Sequence, residues 1–204
     1  MKLVNDGKKT ACIILSGGNS IRMGTHKAIL PYSQNETFLQ HIIGIYLNTG
    51  ISEIIVVKNK DITINPDQSQ NVTFITNNHP EKGRIYSIQL GLQQINKEND
   101  CFIQNIDNPF VTEELLSDIL VNRNEADYIT PVYKDKGGHP ILISSLILNK
   151  IRSITDSEIM LREILSDFTR YKVVTSNEHC ILNINTPDDY SKHFSYNPKS
   201  ARLS

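Results

Sequence analysis

Short, near-continuous apolar runs alternate along the chain with stretches whose apolar residues recur at helical spacing. Residues 11–15 (ACIIL), 53–57 (EIIVV) and 101–106 (CFIQNI) have strand length, and 72–75 is a weaker run of the same kind. Residues 38–47 (FLQHIIGIYL) read as a helix, as do 85–95, whose apolar residues fall at 85, 88, 92 and 95. Thr112 can cap a helix over 112–120, with Glu113 and Glu114 suited to its first turn. Further strands are expected at 128–133 and 140–143, a helix at 156–168 with Asp156 as cap, and short strands at 171–174 and 180–184. The last helix opens with Thr186 as cap, Pro187 at its first position and Asp188 and Asp189 at its positive end. This alternation predicts an α/β fold with a mainly parallel sheet covered on both faces.

At 204 residues the chain is long enough for one domain with a sizeable core. We expect a single domain over 1–195 and a polar tail over 196–204. The polar stretch from 59 to 70, with Pro66, is expected to be a surface loop. A net charge of −1 calls for no nucleic-acid partner. The ten N-terminal residues are polar, and the first apolar run is too short for a signal peptide or a membrane span. A cytoplasmic protein without membrane partners is expected. Cys12, Cys101 and Cys180 are far apart and read as buried free thiols.

In parallel sheets ligands bind beyond the carboxyl ends of the strands. Three polar loops leave such ends: 16–27, 107–109 and 183–187. The first reads Leu15-Ser16-Gly17-Gly18-Asn19-Ser20-Ile21-Arg22-Met23-Gly24-Thr25-His26-Lys27. Paired glycines let backbone amides approach phosphate oxygens, while Arg22 and Lys27 add a forked and a point-like cation. The spacing matches neither a P-loop nor the dinucleotide pattern G-x-G-x-x-G. In the second loop, Asp107 stands at the end of an apolar run and before a proline pair-partner, Asn108-Pro109. A lone carboxylate in a phosphate site is a natural magnesium ligand; capping of the next helix is the other reading. Asn183 and Asn185 either offer carbonyl oxygens to a metal or serve turn and capping chemistry. His139, in Gly137-Gly138-His139-Pro140, either approaches an acceptor or is hydrogen-bonded and structural. Ser87 either meets a base or ribose or packs its helix. Lys82 and Arg84 either face the acceptor's phosphate or are solvated.

The first loop resembles the L-x-G-G-x-S-x-R-M-G-x-x-K opening of the MobA/MocA-like nucleotidyltransferases. The resemblance continues through Gly83, Ser87 and Gly91, through Asp107-Asn108-Pro109, through Gly138-His139-Pro140 of the cytidylyltransferase branch, and through Asn183-Ile184-Asn185-Thr186-Pro187-Asp188-Asp189. It implies a three-layer α/β sandwich with a Rossmann-like nucleotidyltransferase sheet. It implies transfer of a nucleoside monophosphate from CTP or GTP to a phosphorylated acceptor of the molybdopterin type, with release of pyrophosphate. The implied roles are Leu15, Ser16, Gly17, Gly18, Arg22, Lys27 and Ser87 for the nucleotide, Asp107 and Asn185 for Mg2+, and His139 for the acceptor. Arg22, Lys27 and Asp107 would be catalytic. Many relatives carry Asp at 183 or 185, where this chain has two Asn, so metal affinity is open. The Gly17-Gly18 pair favours guanine and Gly138-His139-Pro140 favours cytosine. A sugar-phosphate or other small-alcohol-phosphate acceptor is one alternative. A non-catalytic accessory protein that delivers cofactor to a molybdoenzyme or works with its chaperone is another.

Overall fold

The computed structural model describes residues 9–18, 20–60, 72–155 and 159–194. At the centre of its sheet lies β1 (Thr10–Ser16), and the apolar run there serves two faces. Cys12 and Ile14 join one core cluster, and Ala11 and Ile13 join the other. This follows from the two-residue period of a strand. β2 (Glu53–Asn59) and β4 (Asp100–Asn105) flank β1, and β3 (Val72–Asn77) lies outside β2. All four run parallel.

The sheet continues past β4 with a change of direction. β5 (Tyr128–Tyr133) and β6 (Lys136–Gly137) form a hairpin, turned by Lys134 and Asp135 in left-handed conformations (φ 45° and 64°). The chain then returns as β7 (Ile141–Ile143), antiparallel to both β4 and β5, and β8 (Arg170–Val174) pairs parallel with β5. The parallel part expected from sequence is therefore real, and one antiparallel strand is inserted into it.

Six helices among the described residues cover the sheet: α1 (Phe38–Asn48), α2 (Gly83–Leu92), α3 (Glu113–Val121), α4 (Ser145–Ser153), α5 (Leu161–Leu165) and α6 (Pro187–His193). Phe38, Ile42, Leu116 and Tyr190, from α1, α3 and α6, pack on the face of Cys12 and Ile14. Ile88, Ile147 and Ile164, from α2, α4 and α5, pack on the face of Ala11 and Ile13. Three layers result. Side chains start several of the helices: Thr37 with Gln40, and Thr186 with Asp189, form reciprocal capping boxes, and the Thr112 hydroxyl accepts from the Leu115 amide.

Four elements differ from the sequence reading. Residues 180–184 pair with no strand: a 3₁₀ turn covers Glu178–Ile181, opened by the Asn177 side chain on the His179 amide. Carbonyls that would serve a ladder there are taken by the Asn108 side chain instead. The helix expected at 156–168 is helical over Leu161–Leu165, where the Glu163 carboxylate accepts from the Met160 amide. α2 ends at Leu92, although Ile95 is still buried. α4 was not expected from the sequence at all; its buried residues are Ile147, Leu148 and Ile151. The Asp156 cap, the tail 196–204 and residues 61–70 of the expected loop lie outside the described residues.

α2 lies close to β1 because residue 91 has no side chain. A Cβ there would stand 2.9 Å from Ile13 Cδ1 and Cγ1. Gly44, inside α1, meets nothing nearer than Glu36 Oε1 at 3.9 Å. Gly91→Ala should therefore lower the unfolding free energy by about 1–3 kcal/mol through overpacking. Gly44→Ala should raise it by about 0.5–1 kcal/mol. Urea denaturation of the two variants checks both signs.

Candidate functional site

β1 and β4 are parallel neighbours with Leu15 opposite Asn105, so their exit loops open at one edge of the sheet. The loop after β1 is folded back on itself. Ser20 (φ 47°) and Gly24 (φ 69°), both left-handed, bracket a 3₁₀ turn at Ile21–Met23, and the Met23 side chain is buried in the core. A residue other than glycine with positive φ is a conformational cost of the kind found where a loop shapes a binding site. His26 holds the fold-back. Its Nδ1 accepts from the Ala28 amide, which leaves Nε2 to donate to the Gly18 carbonyl at 3.0 Å. Burial pushes this imidazole below its usual range, in keeping with a neutral ring.

Lys27 lies at the end of this loop and joins three parts of the chain. Its Nζ donates to Asn185 Oδ1 at 2.7 Å and lies 3.6 Å from Asp107 Oδ2. Burial pulls the ammonium below the usual lysine range, and the charge of Asp107 opposes that shift. The backbone sets this geometry. The Ile106 amide donates to the Leu15 carbonyl, and the Ile184 amide donates to the Asp107 carbonyl at 2.7 Å. The Asp189 carboxylate accepts from the amides of both Asn185 and Thr186. Asp107 is thus not the cap of α3, a task done by Thr112.

Asn108 is fully buried and ties the two outer loops together. Its Nδ2 donates to the carbonyls of Leu182 at 2.6 Å and His179 at 2.9 Å, with Cys180 at 3.4 Å. The Asn108 carbonyl accepts from Gln104 Nε2, and Gln104 Oε1 accepts from the buried Tyr46 hydroxyl. The Cys180 carbonyl also receives the His139 amide, and a Cβ on Gly138 would stand 2.5 Å from that oxygen. Gly138 thus allows the hairpin loop to approach closely.

The result is a cleft of about 550 Å³ lined by Gly18, Arg22, Lys27, Arg84, Asp107 and Asn185, with Leu15, Ser20, Ile21, Asn105 and Ile106 completing its wall. Six of the residues singled out from sequence meet there: Leu15, Gly18, Arg22, Lys27, Asp107 and Asn185. The others lie around it. Ser16 is buried beneath the loop. Gly17 faces Asn77 and Ser87, to which a Cβ would come within 3.7 and 3.8 Å. The Ser87 hydroxyl accepts from Asn77 Nδ2 and donates to the Gly83 carbonyl. His139 stands behind Asn105, whose Nδ2 is 3.0 Å from His139 Nε2. Asn183 is exposed and outside the cleft lining.

Asn105 was not singled out from sequence, although it lies in the run 101–106 that leads into Asp107. Nor were His26, hidden at a variable place in the motif, and the carbonyl-binding role of Asn108. Arg84 was left undecided, and the cleft includes it.

The donor set suits a magnesium ion only in a particular way. Asp107 Oδ1 is buried without a hydrogen-bond partner, and Asn185 offers one amide oxygen. No group of three or more His, Cys, Asp or Glu able to hold a metal occurs among the described residues. One carboxylate and one carbonyl fit an ion that keeps several waters and takes its remaining ligands from phosphates.

His139 has its pKa pushed down to about 4, first by burial and then by the charge of Arg84. The neutral ring accepts from Asn105; protonation would end that bond. The ordinary value is 6.5. Above it both folded and unfolded chains hold a neutral ring. Between 6.5 and about 4 the unfolded chain takes the proton first, so stability is lost as pH falls across that window. His139→Gln should therefore lose less stability than the parent chain over this window, as measured by urea midpoints. Separately, Asn108→Asp replaces a donor with a carboxylate facing three carbonyls. It should lower the unfolding free energy by roughly 3 kcal/mol or more, measured at neutral pH.

The MobA-like NTP transferase domain model matches residues 12–173. A molybdenum cofactor cytidylyltransferase of Escherichia coli is 30% identical over 88% of this chain and 92% of its own length. A probable molybdenum cofactor guanylyltransferase of Bacillus mycoides is 27% identical over 89% and 94%. The crystal structure of Rv0371c from Mycobacterium tuberculosis superposes with a TM-score of 0.76 at 19% identity, covering 93% of this chain and 100% of that one. The same protein is also known as a manganese complex, with a TM-score of 0.72. The architecture of this chain is therefore that of a nucleotidyltransferase, and by the extent of the match the chain belongs to the MobA-like NTP transferase family.

Proposed function

We propose that this nucleotidyltransferase moves a nucleoside monophosphate from CTP or GTP to a phosphorylated acceptor of the molybdopterin type, in the presence of magnesium. The observation that carries the proposal is the position of Lys27. At the mouth of two parallel strands, it bridges the carboxylate of Asp107 and the amide oxygen of Asn185, within a cleft that also holds Arg22 and Gly18. The names of the Escherichia coli and Bacillus mycoides relatives support the acceptor and both bases. The manganese complex of the mycobacterial protein supports a divalent ion.

In this reaction an oxygen of the acceptor phosphate forms a bond to the α-phosphorus. The bond from that phosphorus to the α–β bridging oxygen breaks, and pyrophosphate leaves. The attacking oxygen is already ionised at neutral pH, so no side chain need remove a proton. The residues therefore contribute position and charge. The Gly17–Gly18 backbone borders the phosphates, with the Gly18 carbonyl turned back onto His26. Arg22, which forms no hydrogen bond or ion pair among the described residues, offers its guanidinium to phosphate oxygens. Lys27 places its charge where negative charge builds on the leaving group. Asp107 and Asn185 would hold magnesium, which when bound neutralises phosphate charge and orients the triphosphate. Asp189, through the Asn185 amide, keeps that carbonyl in place.

Pyrophosphate release, measured with magnesium, molybdopterin and each of the four nucleoside triphosphates, tests the proposal. Release with CTP or GTP is expected, falling by roughly 10²–10³ in Asp107→Ala and in Lys27→Ala. Turnover on a sugar phosphate but not on molybdopterin would move the chain to another acceptor. Nucleotide binding without release on any acceptor would favour a non-catalytic accessory role.

A further inference from the structure

Resting on the nucleotidyl-transfer reading above, we propose that Arg84, with the Asn105 side chain, forms a second anion subsite in the cleft, distinct from the loop that ends at Lys27, and that it takes the phosphate monoester of the acceptor.

The chemistry demands such a group. The nucleophile is a phosphate monoester with about two negative charges, and it must approach a triphosphate. A cation already engaged with the triphosphate cannot fully offset that repulsion, so the nucleophile needs one of its own. The cleft holds three basic side chains. Lys27 and Arg22 both belong to the loop after β1, assigned above to the triphosphate, and Lys27 also contacts Asn185 and Asp107. The third is Arg84, from a different element, the first turn of α2. It lines the same cleft as Asn105 and Asp107 and forms no hydrogen bond or ion pair among the described residues. Its charge nonetheless reaches both Asp107 and His139. It therefore lies on the side of the cleft where β4 ends, beside the proposed metal ligand.

Asn105 gives the subsite a second donor. One hydrogen of its amide goes to His139 Nε2 at 3.0 Å, which fixes the plane of the group. The other hydrogen remains for a phosphate oxygen. His139 acts here through Asn105. With Nε2 accepting, its proton resides on Nδ1, which is buried without a hydrogen-bond partner. His139 is a positioning residue in this arrangement: it holds the donor that meets the anion. Guanidinium and amide together suit the flat, oxygen-rich face of a phosphate group.

The test uses the full chain loaded with magnesium and the α,β-methylene analogue of CTP or GTP, which occupies the triphosphate loop without reacting. Orthophosphate is then titrated in and followed by calorimetry and by phosphorus NMR. The parent chain should bind orthophosphate beside the analogue. In Arg84→Gln the orthophosphate affinity should fall about tenfold or more, well beyond any change in analogue affinity. Arg22→Gln should show the opposite order, with the analogue affected more. Asn105→Ala should weaken orthophosphate in the same direction as Arg84→Gln, by a smaller factor. If the analogue binds and orthophosphate affinity is the same in the parent chain and Arg84→Gln, or absent in both, the subsite is overturned while nucleotide binding stands. If the analogue does not bind the parent chain, the nucleotidyl-transfer reading fails, and the subsite falls with it.

Discussion

One buried amide group holds the site loops together. Asn108 sits where β4 ends, and its side-chain nitrogen serves the carbonyls of residues 179, 180 and 182. Buried backbone oxygens must be paired, and an irregular segment pairs only part of its own within itself. A strand at 180–184 would have met that demand through a ladder, yet the segment pairs with no strand among the described residues. The Asn108 amide fills that role. The segment it fixes runs directly into Ile184, whose amide bonds Asp107, and into Asn185, whose carbonyl faces Lys27. The same segment supports the His139 hairpin through Cys180. The positions of Asp107, Asn185 and His139 thus depend on one side chain that touches none of the cleft itself.

Charge is arranged around that frame with some economy. A single carboxylate, Asp107, lines the cleft together with three basic side chains, a balance that favours anions. Such a balance suits a substrate that brings its own cation. The two Asn at 183 and 185 are consistent with it. Residue 183 is exposed and outside the cleft lining, and the side-chain oxygen of residue 185 accepts from Lys27. Histidines take part as neutral groups. His26 and His139 each use one ring nitrogen as an acceptor, and burial lowers the pKa of both. Their work is to fix a loop and an amide, and neither is poised to carry a proton at neutral pH.

Much of this was legible in the sequence. The apolar runs of β1, β2 and β4 read as strands buried on both faces, because they are short and nearly continuous. Thr112 and Thr186 capped their helices locally, by contacts three residues away, and local contacts are what a sequence pattern records. The motif from Leu15 to Lys27 and the polar residues after β4 marked the edge at which ligands would bind. What was not legible was non-local. β7 runs against its neighbours because a hairpin precedes it, and α4 follows from the way that hairpin returns. The segment 180–184 looked like a strand by composition, but whether it pairs depends on what lies beside it.

The sequence by itself determined the layers, the parallel core and the glycine-rich loop after the first strand, since each follows from periodicity or short-range chemistry. Only the tertiary structure decided which polar residues share the cleft. Arg84 was one of two ambiguous cations at a helix start until the fold brought it beside Asp107, and Asn105 was the end of a strand until His139 was found behind it. Ser87 and Asn183 carried the same motif signal as their neighbours, yet one is spent on Asn77 and Gly83 and the other faces solvent. The physical reason is reach. A side-chain hydrogen bond acts over about 3 Å, and the residues that it joins here come from strands, helices and loops far apart in the chain.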